Sequence, residues 1–260
     1  MNPLWVSKTG LEAQQTRLSA ISNNLANVNT DGFKRDRVIF EDLMYQNIRQ
    51  PGGQSSQDTQ LPSGLMLGTG VRTVATQKIH SQGNLMQTNN TLDMAIQGRG
   101  YFQILKPNGE LAYSRNGAFQ KNSDGKLVTA SGYLVQPEIT IPPNARSITV
   151  GIDGIVTATI AGTPAPQQLG QIQLADFVNP SGLQPIGENL FLETAASGAP
   201  VVGTASQNNM GSINQNALEA SNVNVVEEMV NMIETQRAYE MNSKAIQTMD
   251  QMLQYVNNQL

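Results

Sequence analysis

The chain has 260 residues, with 16 Lys plus Arg against 20 Asp plus Glu for a net charge of −4, no cysteine and a single histidine. That balance gives no basic field with which to grip nucleic acid or an anionic membrane. The absence of cysteine rules out disulfides and thiolate or sulfur-ligated metal chemistry, and the lone His80 argues against a histidine zinc site or a Ser-His relay. Charged residues make up only 14% of the chain, against roughly 25% in an ordinary soluble protein. Asn and Gln fill the gap, and an amide-rich surface can bond to other protein surfaces without desolvating ions.

The N-terminal segment reads as a helix. Leu4, Leu11, Leu18 and Leu25 recur at every seventh residue, with Ile21 and Val28 in a second row. Asn2-Pro3 suits a cap and first helical position, Gly10 weakens the interior, and Thr30-Asp31-Gly32 offers a stop. Met1 to Lys8 lacks the basic-then-apolar layout of a cleaved secretory signal, so the expectation is a cytoplasmic chain or export by a route that does not read one. No apolar run reaches the roughly 20 residues of a membrane-spanning helix.

From Arg49 to Val71 the chain is dense in Gly, Ser, Gln and Pro, including Gln50, Pro51, Gly52, Gln57 and Pro62. Without a periodic apolar face this is an extended arm or loop, ordered only by packing against something else. From Val71 onward two-residue alternation announces strands: Leu92, Met94, Ile96; Leu111, Tyr113; Ile148, Val150; Val156, Ala158, Ile160. Asn108-Gly109, Asp124-Gly125 and Asp153-Gly154 are hairpin signals. Pro180 to Gly187 reads as a loop, and the small, polar stretch Ala195 to Asn216 as a return path.

The C-terminal segment is a second helix. Val225, Met232, Tyr239, Ile246, Leu253 and Leu260 keep the seven-residue period, Met229, Met249 and Val256 widen the stripe, and Asn224 with Glu227 resembles a capping pair. The fold class is therefore α+β: terminal helices paired as a coiled coil (1–34 with 221–260), an arm (35–70) and a central, mostly antiparallel β domain (71–220). Leu4, Leu11, Leu18, Ile21 and Leu25, with the C-terminal row, form a candidate polymerisation seam.

No catalytic centre, cofactor site or metal site is readable. Gly68-Thr69-Gly70 and Gly98-Arg99-Gly100 lack the third glycine of a dinucleotide loop, with Thr73 and Gln103 at that spacing. His80 reads as a hydrogen-bonded surface or edge residue, and the scattered Asp93, Glu110 and Asp124 give no sign of a convergent carboxylate pair.

Residues 22–35, SNNLANVNTDGFKR, with Asn23, Asn24, Asn27, Gly32 and Phe33, strongly resemble the N-terminal motif of the bacterial flagellar rod and hook (axial) proteins. Residues 219–246, EASNVNVVEEMVNMIETQRAYEMNSKAI, resemble that family's C-terminal signature, and 87–102 and 112–127 its central β domain. Within the family, the length and the arm resemble the distal rod branch, with proximal rod and hook as the alternatives. The resemblance implies a non-enzymatic subunit of a hollow helical homopolymer, its terminal helices lining the channel and its β domain outward. It also implies exit through the type III export apparatus without a cleaved signal, and a place in the basal body from periplasm to outer membrane. The implied neighbours are proximal rod proteins, hook protein, and the L-ring and P-ring proteins. A β-rich binding module would leave the terminal rows unused, and a peptidoglycan hydrolase lacks a visible acid pair.

Overall fold

Helices form where the seven-residue apolar rows run, and strands fill the interval between them. The computed structural model describes residues 2–51, 54–56, 59–60, 63–160 and 165–259. The chain divides into two compact units: Met1–Ala26, Asp36–Gln77 and Asn224–Leu260 in the first, Asn27–Arg35 and Lys78–Val223 in the second.

In the first unit, helix α1 spans Asn2–Ala26 and helix α2 spans Val225–Gln259. Asn224 caps α2: its Oδ1 accepts the N–H of Val226 at 3.0 Å and of Glu227 at 3.4 Å, satisfying donors that the first turn leaves orphaned. Glu227 and Glu228 then place negative charge at the positive end of the helix dipole. The two helices pack on each other in antiparallel sense, with Gly10 facing Asn242 and Arg17 facing Asn231.

The arm folds into a nested β ribbon. Asp36–Asp42 pairs with Val71–Lys78, Gln46–Arg49 with Leu65–Leu67, and Gln54–Ser56 with Thr59–Gln60. Arg72 bridges Glu41 at 3.1 Å, and Arg37 Nη2 donates to Gln77 Oε1 at 2.8 Å. The sequence predicts an extended arm or loop here, since no periodic apolar face is visible. A two-stranded ribbon held by backbone hydrogen bonds needs none. The ribbon is rooted on α1, where the N–H of Val71 donates to Thr9 Oγ1 at 3.3 Å. Gly70, at φ +118°, makes that approach possible, since a Cβ there would lie 2.2 Å from Thr9 Oγ1.

The second unit is built on one large antiparallel sheet. Its spatial order is Gln120–Lys121, Leu127–Val128, Leu134–Gln136, Tyr101–Leu105, Leu111–Ser114, Leu190–Leu192, Gln184–Gly187; Gln173–Asp176 also pairs with Tyr101–Leu105 and with Val201–Thr204. A separate three-stranded sheet joins Ala145–Val150, Ile155–Ile160 and Gln167–Gln171. All three expected turn glycines adopt left-handed backbone, Gly109 at φ +83°, Gly125 at +80° and Gly154 at +82°. Alternation splits the strand beginning at Tyr101 between two cores. Phe102 and Leu174 join the main cluster, with Phe119 edge-on to Phe102 at 5.0 Å, while Tyr101 and Ala175 join Tyr113, Phe177 and Phe191.

Two segments read as irregular are strands. Gln184–Gly187 closes one edge of the large sheet, after a short 3-10 turn at Pro180–Gly182. Within 195–216, Val201–Thr204 pairs with Gln173–Asp176, and Ser212–Gln215 pairs with Met94–Gln97. Each is four residues long or close to it and sits in small or polar sequence, so turn-forming composition masked the pairing.

Candidate functional site

The Asn-rich motif after Leu18 works through its amides. In the first unit Asn24 is buried in α1 and reads the backbone of Asp36 in both directions: Nδ2 donates to the Asp36 carbonyl at 2.9 Å, and Oδ1 accepts the Asp36 N–H at 2.8 Å. This amide-to-peptide pair sets where the ribbon leaves α1, and Asn23 adds a bond from Nδ2 to Asp36 Oδ2 at 3.2 Å. In the second unit Asn27 shapes the turn beyond the helix, its Oδ1 accepting from Thr30 Oγ1 at 3.2 Å and its carbonyl from the Thr30 N–H at 3.2 Å.

The following residues, Asp31-Gly32-Phe33-Lys34-Arg35, are stitched to the start of the C-terminal signature. Gly32, at φ +70°, donates its N–H to the Glu219 carbonyl at 2.7 Å, and a Cβ there would meet Asn116 N at 2.6 Å. The Asn222 side chain accepts the Arg35 N–H at 2.7 Å and donates to the Ile79 carbonyl at 2.7 Å. Phe33 lies under the Lys78 ammonium, 4.9 Å from its ring centre.

Beneath this seam is a wholly buried ionic cluster. Lys34 Nζ donates to Glu219 Oε1 and to the Ser81 carbonyl, the latter at 2.8 Å. Glu219 Oε1 also accepts the Gly83 N–H at 3.0 Å, and its Oε2 lies 3.4 Å from Arg115 Nε. Arg115 completes its fork on the carbonyls of Gly100 at 2.8 Å and Gly98 at 2.6 Å. Burial pushes the Lys34 ammonium below its ordinary pKa, against the pull of Glu219 and with a further push from Arg115. His80 Nδ1 meets Tyr101 Oη at 2.8 Å; burial first, then the cations Lys34, Lys78 and Arg115, lower the imidazole to about 4, so it is neutral near pH 7. Burial likewise raises the Tyr101 phenol.

This arrangement holds chain segments together and leaves no group poised for chemistry. The Gly98 and Gly100 carbonyls are taken by Arg115, so that glycine pair serves as an internal acceptor rather than a phosphate cradle. Among the described residues, no three His, Cys, Asp or Glu side chains cluster as metal ligands, and no helix is long and apolar enough to cross a membrane.

The candidate seam residues are distributed over both helices. Ile21 is buried; Leu4, Leu11, Leu18, Leu25, Val225, Met232 and Ile246 are half-buried; Tyr239 and Leu253 are 44% and 55% exposed; Leu260 lies outside the described residues. The most buried row of α2 sits three residues further on, at Glu228 and Thr235, continuing through Asn242 and Met249. Val226, Met229, Ile233 and Met241 on α2, and Trp5 on α1, remain exposed. Of the arm residues, Gln50 and Pro51 are exposed, with Pro51 closely packed on Gly64; Gly52, Gln57 and Pro62 lie outside the described residues.

Sequence reading did not single out Lys34, Arg115 or Glu219. Lys34 and Glu219 do fall inside the two terminal signatures, and a charge at the hinge of each motif was the available signal.

Three family models match: "Flagella basal body rod protein" over residues 4–34, "Flagellar hook protein FlgE/F/G D1 domain" over 95–158, and "Flagellar basal body rod FlgEFG protein C-terminal" over 214–259. The flagellar basal-body rod protein FlgG of Buchnera aphidicola (subsp. Schizaphis graminum) is 59% identical over 251 residues, 96% of each chain. The FlgG of Agrobacterium fabrum is 49% identical over 261 residues, 100% of each, and that of Borreliella burgdorferi 47% over 260, 99% of this chain and 98% of that one.

Proposed function

The chain belongs to the flagellar basal-body rod protein family, and from that premise we propose that it is a structural subunit of the distal rod, polymerising into the hollow drive shaft that carries torque from motor to hook. The observation that carries this reading is identity over the whole chain to rod proteins of several bacteria, spanning both terminal signatures, the β unit and the arm. The protein is a structural component and not an enzyme.

The terminal helices act in this reading as an antiparallel coiled coil whose outer rows meet neighbouring copies. Exposed Val226, Met229, Ile233 and Met241 support it, since an apolar row of this size on a lone subunit gains by burial at an interface. The arm serves as a strap between subunits that keeps the shaft straight. Its neighbours are proximal rod proteins below, hook protein above and the L-ring and P-ring proteins around it, reached after passage through the flagellar export apparatus.

The test is a strain lacking this chain. Basal bodies isolated from it should carry a truncated rod without a hook, the full-length chain should restore both, and complete rods in its absence would overturn the reading.

A further inference from the structure

Polar and small residues take part in the contact between the terminal helices, and Thr9, Asn24 and Thr235 on them are deeply buried, while several large apolar residues, Trp5, Val226, Met229, Ile233 and Met241, stay exposed. On α1, Gly10, Arg17 and Asn24 recur at seven-residue steps, each one position before a leucine of the apolar row. Gly10 is the one glycine of α1, and a Cβ there would sit 3.1 Å from Asn242 Nδ2. One row along, Arg17 Nη2 donates to Asn231 Oδ1 at 3.4 Å. Buried Thr235 turns its hydroxyl inward to the Asn231 carbonyl at 2.6 Å.

Leucine at these positions would bury more apolar surface, so stability alone does not explain the amides. A polar side chain in a heptad row lowers stability but fixes alignment, because it is accommodated in one register only. Sliding α2 by one heptad toward the C-terminal end of α1 moves Asn242 from Gly10 onto Arg17, where a long side chain already occupies the space, and parts Asn231 from its donor.

We propose that Asn242 seated on Gly10, together with Asn231 bonded to Arg17, is a register key that fixes a single antiparallel alignment of the two terminal helices. Asn231, Asn242 and Gly10 are its specificity-determining residues, and they hold the exposed apolar rows of both helices in a fixed mutual phase, ready for a second copy. The inference rests on the coiled-coil pairing proposed above.

The chain has no cysteine, so Ser19→Cys and Gln236→Cys give a unique pair of spin labels at exposed positions of α1 and α2 in the full-length monomer. A heptad slip displaces the labels by about 10 Å along the helix axis, well within electron–electron resonance distance measurement. The parent should give one narrow distance. Asn231→Leu with Asn242→Leu should add a second population displaced by about 10 Å with an unchanged or raised melting temperature, whereas Asn242→Ser should keep the single distance. Gly10→Ala should broaden the distribution even though alanine is the better helix former. The key is overturned if the leucine double variant and Gly10→Ala both retain the parent distance, or if heterogeneity appears only together with a lowered melting temperature. A parent without any defined distance would overturn the helix pairing itself, and the key with it.

Discussion

Lys34 and Glu219 form an ion pair with neither side chain exposed to solvent, although they stand 185 residues apart in sequence. The pair fastens the segment after α1 to the segment that leads into α2, inside the second unit. Two charges removed from water repay their desolvation only while both are present and their remaining bonds are made.

Breaking the pair is therefore predicted to cost more than replacing it, and the two single changes should differ. Glu219→Leu strands both Lys34 and Arg115 in a buried site, a loss of about 3–5 kcal/mol. Lys34→Met leaves Glu219 with Arg115 at 3.4 Å and with the Gly83 N–H, so it should cost less. Urea unfolding midpoints of the two variants, compared at equal slope, decide the order. A Glu219→Leu variant as stable as Lys34→Met would show that Arg115 does not depend on the carboxylate.

His80 gives a second test, through pH. Its folded-state value of about 4 lies below the ordinary 6.5, so between these limits the unfolded chain takes up a proton that the folded chain refuses. Stability should be level above pH 6.5, fall as the pH drops toward 4 and stop falling from this source below that, a total of about 3 kcal/mol at most. Carboxylates titrate in the same window, so the measurement is the difference between the parent and His80→Asn. A difference that does not vary between pH 4.5 and 7 would exclude a buried neutral imidazole.

What the sequence disclosed and what it hid follow from the same physics. The Asn108-Gly109, Asp124-Gly125 and Asp153-Gly154 turns were legible because a left-handed position singles out glycine, and Asn224 because helix caps use few side chains. On the terminal helices the apolar row through Val225, Met232 and Ile246 was legible. The row that does most of the packing, through Thr235 and Asn242, was not, because its polar residues look like a solvated face. The ionic cluster was hidden for a related reason: nothing in a lone Lys or Glu tells whether its partner lies in water or 185 residues away. The ribbon escaped notice because its stability is in the backbone.

Asn24 tests the motif itself. Its amide supplies one donor and one acceptor to Asp36, and an alanine there removes both bonds from a part-buried stretch of backbone. Asn24→Ala should cost about 1–3 kcal/mol, and should raise amide exchange at Asp36 and along the ribbon root before it affects the second unit. Exchange followed by mass spectrometry reads both regions at once. Uniform loss of protection over the whole chain would mean that Asn24 acts as a general core residue and not as a clamp on the ribbon.

The arm carries the most direct functional prediction. In the proposed rod, which transmits torque without bending, the arm is the segment where we look for stiffness. The ribbon is suited to that task. Among the described residues its strands form three two-stranded ladders, each with outer edges that have no further strand beside them. Tyr45, Ile48, Leu65 and Met66 are exposed on it, giving apolar surface that a second subunit can cover. Ordering loose chain costs about 1–2 kcal/mol per residue in backbone entropy, but the ribbon's own hydrogen bonds have met part of that cost before it docks. Laid across two subunits, it would block the small sliding that curvature requires. Deleting residues 46–67, which spares the pairing of Asp36–Asp42 with Val71–Lys78, should leave export and polymerisation intact and yield curved or flexible rods under the electron microscope. Straight rods of unchanged stiffness from that strain would remove the arm from the account of rigidity and return the question to the terminal helices.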